Sequence, residues 1–168
     1  MPRRTSVATI RLLHGLALLS SGLVFGLTLS HVLQAPGSRR LDGAEWLNVM
    51  HTFYGGFAVV GGIAEVLGLI AAVALTVVML VQRKTVSAIA TMVAALSMLG
   101  TLAAYWFGNR PVNALVTNWT STTLPSDWSA FRDVWETAHA VSAGLSAVAF
   151  IAISLVLLAT VYPTKHEV

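Results

Sequence analysis

The chain has 168 residues, 56% of them hydrophobic and only 10% charged, with mean hydropathy +0.76, against roughly 25% charged residues in a soluble domain. It has no cysteine, which excludes disulfides, thiolate catalysis and cysteine-held metals or clusters. Its net charge of +3 comes from Lys and Arg scattered over termini and loops, with no basic stripe suited to nucleic acid.

Four apolar stretches, about 10–33, 53–81, 86–107 and 138–162, dominate what remains. Each exceeds the ~18–20 residues that cross a ~30 Å hydrocarbon core. The expected fold is all-α. It is a four-helix transmembrane bundle with outward extensions of helices 2 and 4 and a capping loop between helices 3 and 4. One integral membrane domain takes the whole of 1–168, with helices about 6–34, 42–82, 85–107 and 126–162 and an outer cap about 108–125.

Span 1 follows Arg3 and Arg4. Its apolar run is longer than a signal-peptide core and no small-x-small cleavage site follows, so a retained helix is expected. It carries Gly22-Leu-Val-Phe-Gly26, a spacing that lets another backbone approach closely. The partner surface is Gly55, Gly56, Gly61 and Gly62 of span 2, Ala143 and Ala147 of span 4, or a second copy in a homodimer. His14, near the start of the span, reads as structural; His31 lies near its end.

Span 2 begins before its apolar stretch. Asp42-Gly-Ala-Glu45 has the spacing of a helix N-terminal capping box. A helix from there to Gln82 is ~60 Å long at 1.5 Å per residue and projects beyond the bilayer. His51 and Glu65 are fourteen residues apart, close to four turns, so one unbroken helix puts them on one stripe. Glu65 interrupts an apolar run. A carboxylate facing lipid is costly, so it should face the bundle, either in a single interhelical hydrogen bond or in a proton or ligand site.

After span 3, Pro111 and the following Val-Asn-Ala-Leu-Val suit one short helix in the cap. Pro125-Ser-Asp127 marks the start of helix 4 and Pro163 its stop, a helix of ~55 Å. Within it Glu136 and His139 form Glu-x-x-His, half of the motif that di-iron bundles use in duplicate. Together His31, His51, Glu136 and His139 offer enough nitrogen and oxygen ligands for one transition metal, with iron, copper and zinc the chemically suited ions. The alternative is no metal, with Glu136 paired to Arg132 one turn earlier and the histidines acting as bases or hydrogen-bonding groups.

Threading the chain back and forth puts His31, His51, Asn109, Asn113, Glu136 and His139 at one end of the bundle. Arg3, Arg4, Arg11, Arg83, Lys84 and Lys165 fall at the other end, against Arg39, Arg40, Arg110 and Arg132 at the histidine end. Positive residues favour the inner face, so both termini are expected in the cytoplasm, of a bacterial plasma membrane. All five tryptophans lie on the outer side, as an interfacial belt or in the cap. Tyr54, Tyr105 and these tryptophans form either that belt or the walls of a pocket for a flat aromatic ligand.

Asn109-Arg-Pro-Val-Asn113, then Trp119, Arg132-Asp-Val-Trp135 and His139 resemble the signature of the anthrone-oxygenase-like membrane proteins. The resemblance extends over most of the chain in length and span order, and its specific motif covers about 109–139. It implies four membrane helices and oxidation of anthrones to anthraquinones with molecular oxygen. One departure stands out: the arginine expected three residues after the histidine is Ser142. If that arginine binds an acidic or phenolic group in relatives, this chain takes something else.

These readings favour a membrane oxygenase or related redox enzyme acting on a lipophilic, aromatic small molecule. The expected catalytic set is His139, Asn109, Asn113 and Glu65. His139 removes a proton, and the asparagines hydrogen-bond the developing enolate oxygen. In the metal version the four ligands above activate oxygen. The alternative is a non-catalytic membrane protein that binds a lipid, a quinone or a partner protein.

Overall fold

In the computed structural model, residues 6–161 are described. Arg3, Arg4 and Lys165, three of the residues behind the expected orientation, and the Pro163 stop lie outside them. The described residues form α1 (Val7–Ser38), α2 (Gly43–Phe53), α3 (Gly55–Val81), α4 (Thr85–Ala104), a π-turn (Tyr105–Asn109), α5 (Arg110–Val116) and α6 (Trp128–Val161). Among them there is no strand.

Four helical segments are long and apolar enough to cross a membrane: Val7–Ser38, Gly55–Val81, Thr85–Val116 and Trp128–Thr160. α1 and α4 each pack on both α3 and α6, so α1 faces α4, and α3 faces α6, across the diagonals of a square. The core of this square is rich in alanine, with Leu75, Met79, Met98 and Ile153 filling the space between. Ala71, Ala72, Leu75, Ala94, Ala149 and Ile153 are buried. At Gly68 an added Cβ would come within 2.8 Å of Met98 and 3.1 Å of Ser20, so glycine is what lets α1, α3 and α4 meet there. Many large apolar side chains point the other way: Ile63, Ile70 and Val77 of α3, two turns apart, are exposed. An alanine-rich inside and large apolar side chains outside fit an integral membrane protein, whose helices gain by close backbone approach and whose surface meets acyl chains.

The N-terminal signal of span 2 forms as a full capping box: Glu45 N–H donates to the Asp42 carboxylate at 2.9 Å, and Asp42 N–H to the Glu45 carboxylate at 2.9 Å. The single helix expected over 42–82 does not form. It breaks at Tyr54, where ψ is −3°, just before Gly55-Gly56. Two successive glycines weaken a helix through their backbone freedom, and the break removes the shared stripe of His51 and Glu65.

Helix 3 also departs from its expected end at 107. It continues through the π-turn into α5, with Arg110 N–H bonded to the Tyr105 carbonyl five residues back. Pro111 follows directly. Its ring crowds the carbonyl four residues earlier and it offers no N–H, so the wider turn lets the helix pass a residue that otherwise stops it. α1 runs four residues beyond its expected end, through Pro36 to Ser38.

α2, α5 and the start of α6 build the cap around Trp46, Leu47, Met50, Val112, Val116 and Trp135, with Trp119 and Trp128 packed against it. Four tryptophans thus serve as cap core rather than as a belt; Trp106 alone is more than half exposed, at 52%. In span 1 Gly22 faces Phe150 of α6, which a Cβ would meet at 3.3 Å, rather than Ala143 or Ala147.

Candidate functional site

Beneath the cap the helices enclose a cavity of about 270 Å³, near the lower end of the roughly 300–1,000 Å³ usual for small-molecule sites. His31 of α1 and His139 of α6 meet at its upper end, their ring centroids 4.1 Å apart. Tyr54 (4.7 Å), Trp135 (4.8 Å) and Phe57 (5.2 Å) surround the His31 ring. This aromatic box draws on α1, α3, α6 and the α2–α3 break, so only the assembled bundle makes it. His31 Nδ1 is buried with no hydrogen-bond partner among the described residues.

His139 is held from behind. Its Nδ1 lies 2.9 Å from the Trp135 carbonyl and 2.6 Å from the Asn109 amide nitrogen, which itself donates to the Trp135 carbonyl at 3.0 Å. Two tautomers fit this triangle. With Nδ1 as acceptor, Asn109 donates to it and a neutral ring presents its Nε2 proton. With the proton on Nδ1, the ring donates to the Trp135 carbonyl and presents the Nε2 lone pair; the Asn109 amide is then turned with its oxygen toward the ring and gives up its own bond to that carbonyl. The π-turn aims Asn109 at this point, and such turns recur at functional sites. Gly108 makes the approach possible, because a Cβ there would lie 2.5 Å from Ala138 Cβ.

Asn113 accepts a hydrogen bond from Trp135 Nε1 at 2.9 Å through its side-chain oxygen, which leaves its amide N–H groups for the cavity it lines. Glu65 forms the far end, two turns along α3 from Phe57, beside the Thr101 hydroxyl of α4. It faces the bundle and is only 7% exposed. Ser142 also lines the cavity and is buried. Among the described residues no Lys or Arg lines it.

His31, His139, Asn109, Asn113 and Glu65 therefore share one cavity, and two residues expected with them do not. His51, on α2 beyond the break, bonds through Nε2 to the Val116 carbonyl at 2.9 Å and ties the cap together. Glu136 lies one residue past Trp135 on another face of α6, and the Arg39 Nε donates to it at 2.9 Å. Arg132, its partner in the metal-free alternative, pairs instead with Asp133. The proposed metal set of His31, His51, Glu136 and His139 is thus not formed, and among the described residues no three His, Asp or Glu side chains are arranged to hold a metal ion. Asn109 is likewise engaged behind His139 and not free to hold a substrate oxygen.

Sequence reasoning missed Phe57, Ser142 as a wall residue, and Arg39. Phe57 carried a signal, being four and eight residues from Gly61 and Glu65 on one face of α3. Arg39 and Glu136 are 97 residues apart in sequence and nothing local pairs them. Tyr54 closes the upper rim by donating to Gln34 Oε1 at 2.7 Å. Burial, then the neighbouring Glu136 carboxylate, hold its phenol above the ordinary range, so it stays a neutral donor. No family model, curated protein or solved structure matches the chain.

Proposed function

We propose that the protein is a membrane-embedded oxygenase, or related redox enzyme, acting on a neutral, lipophilic, aromatic small molecule. The observation that carries this reading is His139: an imidazole fixed through Nδ1, set in an aromatic box, at the end of an apolar cavity. A general base must be held within reach of the proton it takes. In the tautomer with the proton on Nδ1, that proton is donated to the Trp135 carbonyl, the Nε2 lone pair is available, and the same bond is kept once Nε2 is protonated. A cavity without Lys or Arg among the described residues, and with Ser142 in place of the arginine that the resemblance implies, suits a ligand with no negative charge.

The chemistry balances with dioxygen as the oxidant. His139 removes a proton from a ring CH₂ made acidic by a conjugated carbonyl. Asn113 donates to the enolate oxygen. The carbanion adds dioxygen and is reprotonated to a hydroperoxide. Loss of water then leaves a second carbonyl, so CH₂ and O₂ become C=O and H₂O. Asn109 is a positioning residue in this scheme. The Lys and Arg distribution supports a cap outside the cell and both termini in the cytoplasm.

Oxygen uptake by the purified protein, presented with anthrone and related neutral ring ketones, tests the proposal. One dioxygen consumed per carbonyl formed is expected. His139→Gln should slow turnover by about 10²–10⁴-fold with an unchanged melting temperature. Saturable ligand binding without turnover would overturn the enzyme reading and leave a binding protein.

A further inference from the structure

We propose that the cavity fills from the side: a neutral lipophilic molecule dissolved in the acyl-chain region of the bilayer enters between α3 and the π-turn. This rests on the lipophilic ligand argued above and adds where that ligand comes from. Two neighbouring stripes of α3 line the cavity. Phe57, Gly61 and Glu65 form the inner one. Ala58, Gly62 and Val66 sit one residue on, about 100° around the helix, and all three are exposed. A cavity whose wall includes an exposed stripe is open on that side.

Trp106 of the π-turn lines the cavity from across the gap and is exposed as well. The α3 edge is unobstructed at Gly62, where a Cβ would meet nothing within 4 Å. On its other flank α3 is closed, with Leu27 of α1 3.7 Å from a Cβ on Gly61. The close seat of Gly108 on α6 draws the π-turn toward that helix and away from α3.

What lies outside the opening follows from its surroundings. Val59 and Ile63, large apolar residues beside it on α3, are well exposed, as is Phe107 on the α6 side of the π-turn; in a membrane-spanning segment such side chains meet acyl chains. Toward the cap the cavity is bridged rather than lined by an open stripe. Tyr54–Gln34, Arg39–Glu136 and Trp135–Asn113 bonds cross the roof, and Trp46, Val112 and Val116 fill the space above it.

Photolabelling of the protein in lipid nanodiscs reads access directly. The probes are a neutral aryl diazirine that partitions into bilayers and a charged, membrane-impermeant one, with labelled residues mapped by mass spectrometry. The neutral probe should label His139 and Trp135. Gly62→Phe, which puts a ring into the gap, should abolish that labelling while Ile63 and Phe107 stay labelled. Gly56→Phe adds the same bulk where a Cβ also meets nothing within 4 Å but no cavity is lined, and should leave labelling intact. Ala58→Phe, on the same edge, decides the question if Gly62→Phe does not fold.

A cavity left unlabelled by the neutral probe in the parent protein would overturn the portal. So would labelling that survives every folded edge variant, or labelling of His139 by the charged probe. These outcomes are separable from those of oxygen uptake: an unlabelled cavity refutes the route and leaves the chemistry to its own assay, and a labelled cavity without turnover does the reverse.

Discussion

His14 and His139 sit toward opposite ends of the bundle in the same local geometry. Each places Nδ1 2.9 Å from the carbonyl four residues earlier, Ile10 for one and Trp135 for the other. Their surroundings differ. His14 belongs to the half of α1 that builds the alanine-rich core, and its Nε2 is buried without a partner among the described residues. His139 has Asn109 behind it, the His31 ring beside it and a cavity in front. The helix alone gives both residues the same bond; the neighbours decide whether the second nitrogen is sealed or usable. At the His14 end alanines let the helices pack closely around the buried imidazole. At the His139 end aromatic rings hold the helices apart, and Gly62 and Ala58 leave the gap unfilled.

The largest expected effect on stability breaks that contrast through its glycines. Gly108→Ala puts a Cβ 2.5 Å from Ala138 Cβ, so the π-turn and α6 must part. Overpacking of this kind costs about 1–3 kcal/mol, and the shift also carries Asn109 away from His139. Gly15→Ala, toward the other end, adds a Cβ that meets nothing within 4 Å and should stabilise by up to about 1 kcal/mol through its better helix propensity. Thermal melts in one detergent compare the two. Equal melting temperatures would show that Gly108 does not set the approach of the π-turn.

Next in size is Glu65→Gln, which keeps the shape at the cavity floor and removes the charge. If Glu65 takes part in binding or proton transfer, turnover should fall by at least about tenfold, or ~1.4 kcal/mol in the barrier, with thermal stability little changed. Turnover equal to that of the parent would make Glu65 a structural hydrogen-bonding group, and the contrast between the two ends would then rest on His139 alone.

The elements that were legible in the sequence are those that depend on one helix at a time. Apolar run length located all four spans, Asp42 and Glu45 marked a helix start that forms as a capping box, and the cost of a lipid-facing carboxylate placed Glu65 inward. What was not legible depends on two segments meeting. Glu136 has Arg132 one turn away and Arg39 far off in sequence. The choice between them turns on where the end of α1 lands, which no local pattern records. His51 looked equivalent to His31 because the break at Tyr54 was hidden in glycines that read equally well as packing residues. The π-turn was hidden in the same way, since Pro111 signals a helix start as readily as a wider turn within one.

The smallest expected effect concerns His14 itself. Its Nδ1 bond is to a helix carbonyl, and its Nε2 has no partner to lose among the described residues. A buried polar atom left unpaired costs about 1–3 kcal/mol, and replacement by an apolar group of similar shape can be neutral or stabilising. His14→Leu fills similar volume with no nitrogen to satisfy. The melting temperature should hold or rise slightly, and oxygen uptake should match the parent, because the residue lies outside the cavity lining. The same change at His139 removes the nitrogen that the cavity is built around and should stop turnover. If His14→Leu instead lowers turnover as His139→Gln does, the alanine-rich end of the bundle is part of the chemistry, and the division between a sealed histidine and a working one fails.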